Sequence, residues 1–376
     1  MNRIRVLQIG KYYYPCIGGM ESHLYTLVNG LRKEVDLKVL VSNTKFKTSI
    51  ERKNGVVIYR LATLGRLFSL PLTFSLPFWL RRLNSDILHF HLPNPLAVIS
   101  FLLTRPSGSV IVSYHADIVR QRFFLPLFNP FLIRFLKKTE VIIVTSQNLL
   151  DNSNILRKFR NKCKIIPHGI DLDKFILTPE VAKETEEIKQ KFASPIILFV
   201  GRLVYYKGLE YLLKTTKKIE AHFLIIGDGP LRRRLKKMAD HLRVSHRINW
   251  LGKIDNEKIV PYYYACDIVV LPSVIKAESF PYVQLEAFAC GKPVISTNLP
   301  TGVPYVNLHR KTGLVVAPRD SEAIAQAITV LLASEELRKH YGHNGRERLE
   351  HEFTKEIMSK QVLNIYSNLS NCYFTI

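Results

Sequence analysis

The stretch at residues 268–296, IVVLPSVIKAESFPYVQLEAFACGKPVIS, decides the fold class. Its short apolar run Ile268–Leu271 is typical of a buried parallel strand. After a polar loop, Pro281 fits the first residue of a helix, because its missing N–H would lack a partner there anyway, and Gly291 ends that helix. Val294–Ser296 is a second strand. The stretch therefore predicts a β-α-β unit of a doubly wound α/β fold.

Apolar runs of the same kind recur along the 376-residue chain. A single α/β core seldom grows past about 250–300 residues, so two domains are expected. The runs in the first half are Arg5–Ile9, Leu37–Val41, Ile87–Phe90, Val110–Ser113, Val141–Thr145 and Lys164–Ile166. Those in the second half are Ile196–Val200, Phe223–Ile226, Ile248–Leu251, Ile268–Leu271, Val294–Ser296 and Gly313–Val315. Each half is predicted to be a layer of parallel strands covered by helices.

The polar stretch at residues 171–194 separates the two series of strands. We predict two Rossmann-like domains with a central cleft, at residues 1–174 and 175–355, joined by a hinge near Gly169–Pro179. The C-terminal segment Glu322–Asn371 has the pattern of two or three helices, and a last helix at about 356–376 is expected to be able to pack back on the first domain.

The chain is strongly basic, with a net charge of +23, which favours polyanionic partners such as nucleic acid, anionic lipid or phosphorylated substrates. Its five cysteines are scattered without a CxxC pair, which argues against a zinc site or a disulfide framework and favours a reducing, cytoplasmic compartment. The N-terminus carries Arg3 and Arg5 and resembles a first strand more than a signal peptide. Proline, glycine and arginine interrupt the longest apolar stretch, Leu64–Leu80, so no membrane span is predicted.

The loop and helix start of the opening stretch form a candidate ligand site. Glu278 precedes the predicted helix and Glu286 lies about two turns into it. A helix N-terminus attracts anions and suits a diphosphate, whereas carboxylates accept hydrogen bonds from sugar or ribose hydroxyls. The alternative is that Glu278 only caps the helix and that Glu286 is an ordinary surface glutamate.

A second candidate site follows the strand Ile196–Val200, where residues 199–209 have the sequence FVGRLVYYKGL. Arg202 and Lys207 follow a glycine-containing turn, and two cations at this place can neutralise a diphosphate without a metal. Two solvated basic residues are the alternative in a chain this basic.

Three further groups of residues follow predicted strands, where ligands gather in open α/β sheets. Gly18 and Gly19 form a turn that permits close backbone approach, or a plain tight turn. His115 follows Val110–Ser113, although a lone histidine is more often structural than catalytic. The remaining group is Gly227 with Asp228, Gly229 and Pro230 after one strand, and Lys253 with Ile254 after the next.

The segment from Glu278 to Thr297 resembles the E-x7-E motif of the retaining glycosyltransferases of family 4, which have the two-domain GT-B fold. The resemblance extends over nearly the whole chain, and Arg202 and Lys207 match the family's G-R-x-x-x-x-K-G segment. It implies a retaining hexosyltransferase that moves a sugar from a nucleoside diphosphate to an acceptor hydroxyl. The second domain would bind the donor, the first would bind the acceptor, and closure of the cleft would exclude water.

The resemblance also implies roles for individual residues. Glu286 would bind the donor ribose, Glu278 would contact the transferred sugar, and Arg202 and Lys207 would stabilise the leaving diphosphate. His115 would lie near the reacting sugar. The other expected donor contacts are Gly18, Gly19, Gly227, Lys253, Ile254, Ser279, Phe280, Pro281 and Tyr282.

The sequence Asp171-Leu172-Asp173 spells the DxD metal-binding signature of the other major glycosyltransferase fold. In the family that this chain resembles, a Gly-hydrophobic-Asp segment at this place is structural. The resemblance therefore implies no metal and no cofactor apart from the nucleotide-sugar co-substrate.

The finer identity of the substrates is an expectation. Residues 115–121 and 301–307 look similar to mannosyltransferases of bacterial surface-polysaccharide assembly, which favours GDP-mannose as the donor, with UDP-glucose, UDP-galactose or a UDP-N-acetylhexosamine as the alternative. Two other classes stay open: a nucleic-acid-binding protein, disfavoured by the lack of a binding module, and a GT-B-like epimerase or non-catalytic sugar-nucleotide binder.

The acceptor is expected to be a saccharide or a lipid-linked saccharide. The segments 67–82 and 121–138 mix aromatic and aliphatic residues with cations, which suits peripheral binding to an anionic inner membrane face, although amphipathic helices that cover a sheet look the same. If the membrane interpretation is right, neutralising Arg81, Arg82, Lys137 and Lys138 reduces co-sedimentation with anionic liposomes.

Overall fold

The structure is a computed structural model that describes residues 3–16, 18–67, 70–118, 125–192 and 195–371. The chain divides into two compact units. The first unit comprises Met1–Gly169 and Lys355–Ile376, and the second comprises Ile170–Thr354. Each unit is built around its own parallel sheet, as the alternating strand and helix patterns predict.

The main sheet of the first unit has eight strands in the order β10-β9-β8-β7-β1-β2-β4-β3, all parallel except β3. Its strands are β1 (Arg5–Ile9), β2 (Asp36–Ser42), β3 (Ser49–Lys53), β4 (Val56–Leu61), β7 (Ile87–Leu92), β8 (Ser109–Tyr114), β9 (Val141–Val144) and β10 (Cys163–Ile165). A separate antiparallel pair consists of β5 (Arg66–Leu67) and β6 (Leu70–Pro71). The helices are α1 (Gly19–Leu31), α2 (Leu76–Arg82), α3 (Pro95–Thr104), α4 (Leu125–Lys137) and α5 (Gln147–Asn152), followed by a 3-10 helix at Leu156–Lys162.

The sheet of the second unit has six parallel strands in the order β13-β12-β11-β14-β15-β16. They are β11 (Ile196–Val200), β12 (His222–Ile226), β13 (Ile248–Gly252), β14 (Ile268–Leu271), β15 (Val294–Thr297) and β16 (Gly313–Val316). The strand order reverses between β11 and β14, which creates the crevice where open α/β sheets bind ligands.

The helices of the second unit cover both faces of that sheet. They are α6 (Pro179–Lys191), α7 (Leu209–Thr215), α8 (Arg232–His241), α9 (Val260–Ala265), α10 (Tyr282–Ala289), α11 (Val303–Val306), α12 (Ser321–Ala333) and α13 (Glu335–Glu352), with 3-10 helices at Leu172–Phe175, Tyr205–Lys207 and Ser245–Arg247. The last helix, α14 (Lys355–Asn371), belongs to the first unit, where its buried Met358, Val362 and Tyr366 share a core with α1.

All twelve predicted strands are present, within two residues at each end. The prediction of parallel α/β layers is thus confirmed, but it missed β3, β4 and the two-residue strands β5 and β6. Strands β3 and β4 form a hairpin whose turn residues, Asn54 and Gly55, both have positive φ. An Asn-Gly pair is the usual signal for such a turn, and the exposed charged face of β3 obscured it.

The helix prediction for the opening stretch was off by one residue. Pro281 caps α10 instead of beginning it, so Glu286 is the fifth helical residue and lies just over one turn in. Gly291 has φ +64° and ends the helix as predicted. Among the described residues, no helix combines the length and apolar character needed to cross a bilayer.

Candidate functional site

The loops that leave β11 and β14 flank the crevice of the second sheet. The loop after β11 carries Arg202 and Lys207, and the loop after β14 carries Glu278. These loops approach each other closely because Gly208 has φ +64° and a Cβ there would lie 2.0 Å from the carbonyl oxygen of Pro272. Glycine is therefore required at this crossing of the two loops.

Lys207 and Glu278 form an ion pair across the crevice. Lys207 Nζ lies 2.6 Å from Glu278 Oε2, and the two residues are only 9% and 7% exposed. The fully buried Ser273 donates a hydrogen bond from Oγ to the same carboxylate oxygen, at 2.9 Å. Removing charges from water is costly, so this pair needs both partners. The two loops thus hold an ammonium group and a carboxylate together at the switch point of the sheet.

The loops that follow β11, β12 and β13 at the same sheet edge are joined by backbone hydrogen bonds. Leu203 N–H donates to the carbonyl of Asp228, and Gly227 N–H donates to the carbonyl of Gly252, at 2.7 Å. A Cβ on Gly227 would lie 1.9 Å from the carbonyl oxygen of Gly201, so only glycine allows these loops to stack. Arg202 and Lys253 are exposed, and Ile254 is half-buried. The structure therefore brings the loops that carry Arg202, Gly227 and Lys253 to one edge.

Glu286 is held by Tyr263, a residue that no sequence motif identifies. The buried Tyr263 of α9 donates a hydrogen bond to Glu286 Oε2, at 2.5 Å. Burial raises the pKa of the Glu286 carboxyl, and the tyrosine hydrogen bond opposes this shift. Burial likewise raises the pKa of the Tyr263 hydroxyl, so it remains a donor. Tyr263 fixes the direction of a partly exposed carboxylate and is a positioning residue.

The residues before α10 pack against the next loop. Gly302 N–H donates to the carbonyl of Ser279, at 2.7 Å, and a Cβ on Gly302 would lie 2.7 Å from the ring of Phe280. Phe280 is buried, Ser279 and Tyr282 are half-buried, and Pro281 caps the helix.

The DxD signature lies elsewhere in the second unit. Asp171 precedes the 3-10 helix Leu172–Phe175, and Asp173 lies in its first turn with an exposed side chain.

In the first unit, His115 lies in a buried network. It follows β8 and is 4% exposed. Its Nε2 is 3.1 Å from His91 Nδ1, and its Nδ1 is 3.0 Å from His168 Nε2. Burial lowers the pKa of His115 to about 3, so the ring is neutral at pH 7. The family resemblance predicts His115 beside the reacting sugar, and in the structure both of its ring nitrogens contact other histidines.

The hydrogen bonds of Gln8 determine the proton positions in this network. The side-chain amide of Gln8 donates from Nε2 to the hydroxyl of Tyr366, at 2.8 Å, so its Oε1 must accept from His91 Nε2. A neutral His91 then accepts at Nδ1 from His115 Nε2. His115 Nδ1 consequently carries a lone pair, which accepts from His168 Nε2.

The network continues in the other direction through His89. The Tyr366 hydroxyl donates to His89 Nδ1, at 2.6 Å, and His89 Nε2 donates to Ser113 Oγ, at 2.8 Å. Desolvation is the first cause that lowers the pKa of each of the five buried histidines, which are His23, His89, His91, His115 and His168. This buried hydrogen-bond network joins α14, through Tyr366, to the carboxyl edge of the first sheet.

The predicted Gly-Gly turn lies at the start of α1. Gly19 is its first residue, and a Cβ there would meet no atom within 4 Å. At Gly18 a Cβ would lie 2.2 Å from a carboxylate oxygen of Glu21. That oxygen is the far end of a flexible side chain that can move aside, so packing strictly requires a glycine at neither position.

Two family descriptions match most of the chain. Residues 17–174 match Glycosyltransferase Family 4, and residues 182–348 match Glycosyl transferases group 1. The chain is 31% identical to O-antigen chain mannosyltransferase C of Escherichia coli, over 97% of this chain and 99% of that protein. It is 32% identical to D-rhamnosyltransferase WbpZ of Pseudomonas aeruginosa, over 93% of this chain and 92% of that protein.

A solved structure has the same fold. The sucrose-phosphate synthase of Thermosynechococcus elongatus superimposes on this chain with a TM-score of 0.83 at 23% sequence identity. The superposition covers 98% of this chain and 100% of the synthase chain.

Proposed function

Because the chain belongs to glycosyltransferase family 4 and has the GT-B fold, we propose that it is a retaining mannosyltransferase that uses GDP-mannose. The acceptor would be a saccharide or lipid-linked saccharide of a bacterial surface polysaccharide. The observation that carries the proposal is the buried Lys207–Glu278 pair at the switch point of the second sheet. Similarity over nearly the full length of a mannosyltransferase supports the choice of sugar.

In the proposed donor complex, the second unit supplies the positive charge that a leaving diphosphate requires. Lys207 and Arg202 follow the same strand, and the start of α10 adds the partial positive charge of a helix N-terminus. These groups would stabilise the negative charge that develops as the bond between the sugar C1 and the phosphate oxygen breaks. No metal would be needed for this step, and GDP binding would be independent of magnesium.

The carboxylates would recognise hydroxyl groups. Glu278 keeps one oxygen for Lys207 and Ser273, and its other oxygen can accept from a sugar hydroxyl. Glu286, aimed by Tyr263, would accept from the ribose. In the transfer step, the acceptor oxygen would bond to C1 on the face that the diphosphate leaves, and the acceptor proton would pass to a departing phosphate oxygen. This route retains the configuration at C1.

The other donor contacts are proposed on position alone. The loops with Gly227, Lys253 and Ile254 lie at the same sheet edge and would contact the nucleotide, together with Ser279, Phe280, Pro281 and Tyr282. In the first unit, Gly18, Gly19 and His115 stay predicted contacts of the donor or its sugar.

A lipid-linked acceptor would agree with the surface of the first unit. Phe78 is 60% exposed beside Arg81 and Arg82 on α2, and Phe131 is 45% exposed on α4, which carries Lys137. Apolar rings flanked by cations can bind the interface of an anionic bilayer. Within the segment 121–138 that the sequence singles out, positions 121–124 lie outside the described residues.

The donor can be identified by ligand-induced stabilisation. A ligand present at about 100 times its Kd adds about 2.7 kcal/mol to the free energy of unfolding, which raises the melting temperature. We expect GDP-mannose and GDP to raise it in both magnesium and chelator, and UDP-glucose, UDP-galactose and UDP-N-acetylglucosamine to leave it unchanged. A shift with a UDP-sugar and none with GDP-mannose would refute the proposed donor.

A further inference from the structure

A half-buried arginine lies at the carboxyl edge of the second sheet, next to the end of β13. Arg232 is the first residue of α8, which follows β12 through residues 227–231. A Cβ on Gly252, the last residue of β13, would lie 3.8 Å from each of the two terminal guanidinium nitrogens of Arg232. The guanidinium fork therefore faces the end of β13, at a residue that has no side chain to cover it.

A carboxylate holds this guanidinium group in place. Arg232 donates a hydrogen bond from Nη1 to Oδ2 of Asp228, at 3.2 Å. The other carboxylate oxygen of Asp228 accepts from Gly229 N–H, at 2.7 Å, so the carboxylate itself is fixed to its own loop. An arginine carries several N–H donors, and the hydrogen bond to Asp228 uses one of them. The fork is thus oriented and keeps donors for a ligand.

Arg232 lies on the side of the crevice to which the nucleoside of a bound donor would extend. The Lys207–Glu278 pair marks the diphosphate position of the proposed function, after β11 and β14. Neighbouring strands lie about 4.8 Å apart, so β13, which is two strands from β11, is about 10 Å from it. On the other side, Gly302 N–H donates to the carbonyl of Ser279 and packs the loop after β15 against the start of α10. The loops after β12 and β13 therefore form the edge that is open to the base.

A guanidinium fork distinguishes nucleotide bases by their acceptor atoms. Guanine presents O6 and N7 side by side, and these two acceptors match two parallel N–H groups of an arginine. Adenine presents a donor beside N7 at the same edge, and uracil, like thymine, presents the single acceptor O4. A lysine ammonium is a point charge without this fork. Of these bases, guanine therefore fits an oriented arginine best.

We propose that Arg232 binds O6 and N7 of the donor's guanine base and so makes the site selective for GDP over UDP. The inference rests on the proposed function, because it concerns the base of that same donor. Asp228 is then a positioning residue, since it orients the fork through Nη1. The predicted nucleotide contacts Lys253 and Ile254 directly follow Gly252 in the chain, which agrees with a base at this edge.

Isothermal titration calorimetry of the full-length protein with GDP, 7-deaza-GDP and UDP tests the proposal. In 7-deaza-GDP a carbon replaces N7, which removes one of the two acceptors. We expect the wild type to bind 7-deaza-GDP about 10-fold more weakly than GDP, the effect of one hydrogen bond to a charged group. Arg232→Lys should weaken GDP binding about 5–150-fold, the discrimination that one bidentate arginine pair provides. This variant should no longer distinguish GDP from 7-deaza-GDP, and its affinity for UDP should equal that of the wild type.

Arg234→Lys is the matched control, because Arg234 lies on the same helix and is exposed, and all three affinities should stay unchanged. The Arg232–Asp228 pair is partly exposed and contributes little to stability, so Arg232→Lys should melt like the wild type. Equal GDP affinity in Arg232→Lys and the wild type, or an equal preference for GDP over 7-deaza-GDP in both, would overturn the inference and leave the proposed donor intact. Binding of UDP and not GDP by the wild type would overturn the proposed donor and the inference together.

Discussion

Lys207→Met is expected to lower kcat/KM by about 10²–10³-fold, because removal of one group that stabilises transition-state charge has this effect in other enzymes. Lys207 is the buried cation of the proposed donor site, and its partner Glu278 would be left as a buried, unpaired carboxylate. Breaking such a pair costs about 3–5 kcal/mol of folding free energy. The variant should therefore lose both turnover and stability.

A double variant separates the two losses. Lys207→Met combined with Glu278→Gln removes both charges, so it should recover most of the folding free energy in urea unfolding but none of the turnover. Lys214→Met on α7 is the control, because Lys214 is exposed and its ammonium group lies over the ring of Tyr211. Turnover within about threefold of wild type in Lys207→Met would contradict the role given to this lysine.

Acidification is expected to destabilise the protein through its first unit. The five buried histidines have folded-state pKa values below the ordinary value of 6.5, to about 3 for His89 and His115. The cause is burial first, with repulsion among the rings as a second cause in all but His115. The groups that face these rings, Gln8, Ser113 and Tyr366, are uncharged near neutral pH.

The direction of this pH dependence of the free energy of unfolding follows from proton binding. Below about pH 6.5 the unfolded chain takes up protons on these histidines and the folded chain does not, so stability is complete above this pH and falls below it. Each histidine contributes about 1.4 kcal/mol per pH unit once fully engaged. At pH 5.5 the five together remove roughly 7 kcal/mol, which approaches the total stability of an ordinary domain.

Urea unfolding at pH 7.5 and at pH 5.5 measures this loss. His89→Asn should reduce the pH dependence by about one fifth, since it removes one of the five groups. A free energy of unfolding that is the same at both pH values would show that the histidines are not buried as described.

The strands of both sheets could be predicted from the sequence because their short apolar runs lie between turn residues. The β3–β4 hairpin was missed because β3 is exposed and charged, so its strand pattern carries no buried face. The strand order, and with it the position of the crevice between β11 and β14, is a long-range property that local patterns do not contain.

The candidate site was predictable in its residue types and less so in its contacts. Lys207 and Glu278 were each identified, but their ion pair appears only when the loops after β11 and β14 meet. Tyr263 and Ser273 carried no motif, although Ser273 lies two residues after a strand that ends at the ligand edge. The five buried histidines come from α1, from β7 and from the residues that follow β8 and β10, and a search for histidines after predicted strands would have found part of this set.

The configuration of the product formed from GDP-mannose tests the central claim most directly. GDP-mannose carries an α-linked sugar, and the proposed transfer on the face of the leaving diphosphate keeps that configuration. Nuclear magnetic resonance of the purified product, through the coupling between C1 and H1, distinguishes the two anomers. We predict an α-mannosidic linkage to the acceptor, made by the wild type and lost in Lys207→Met, whereas a β-linked product, or no transfer to any saccharide or lipid-linked acceptor, would contradict the account.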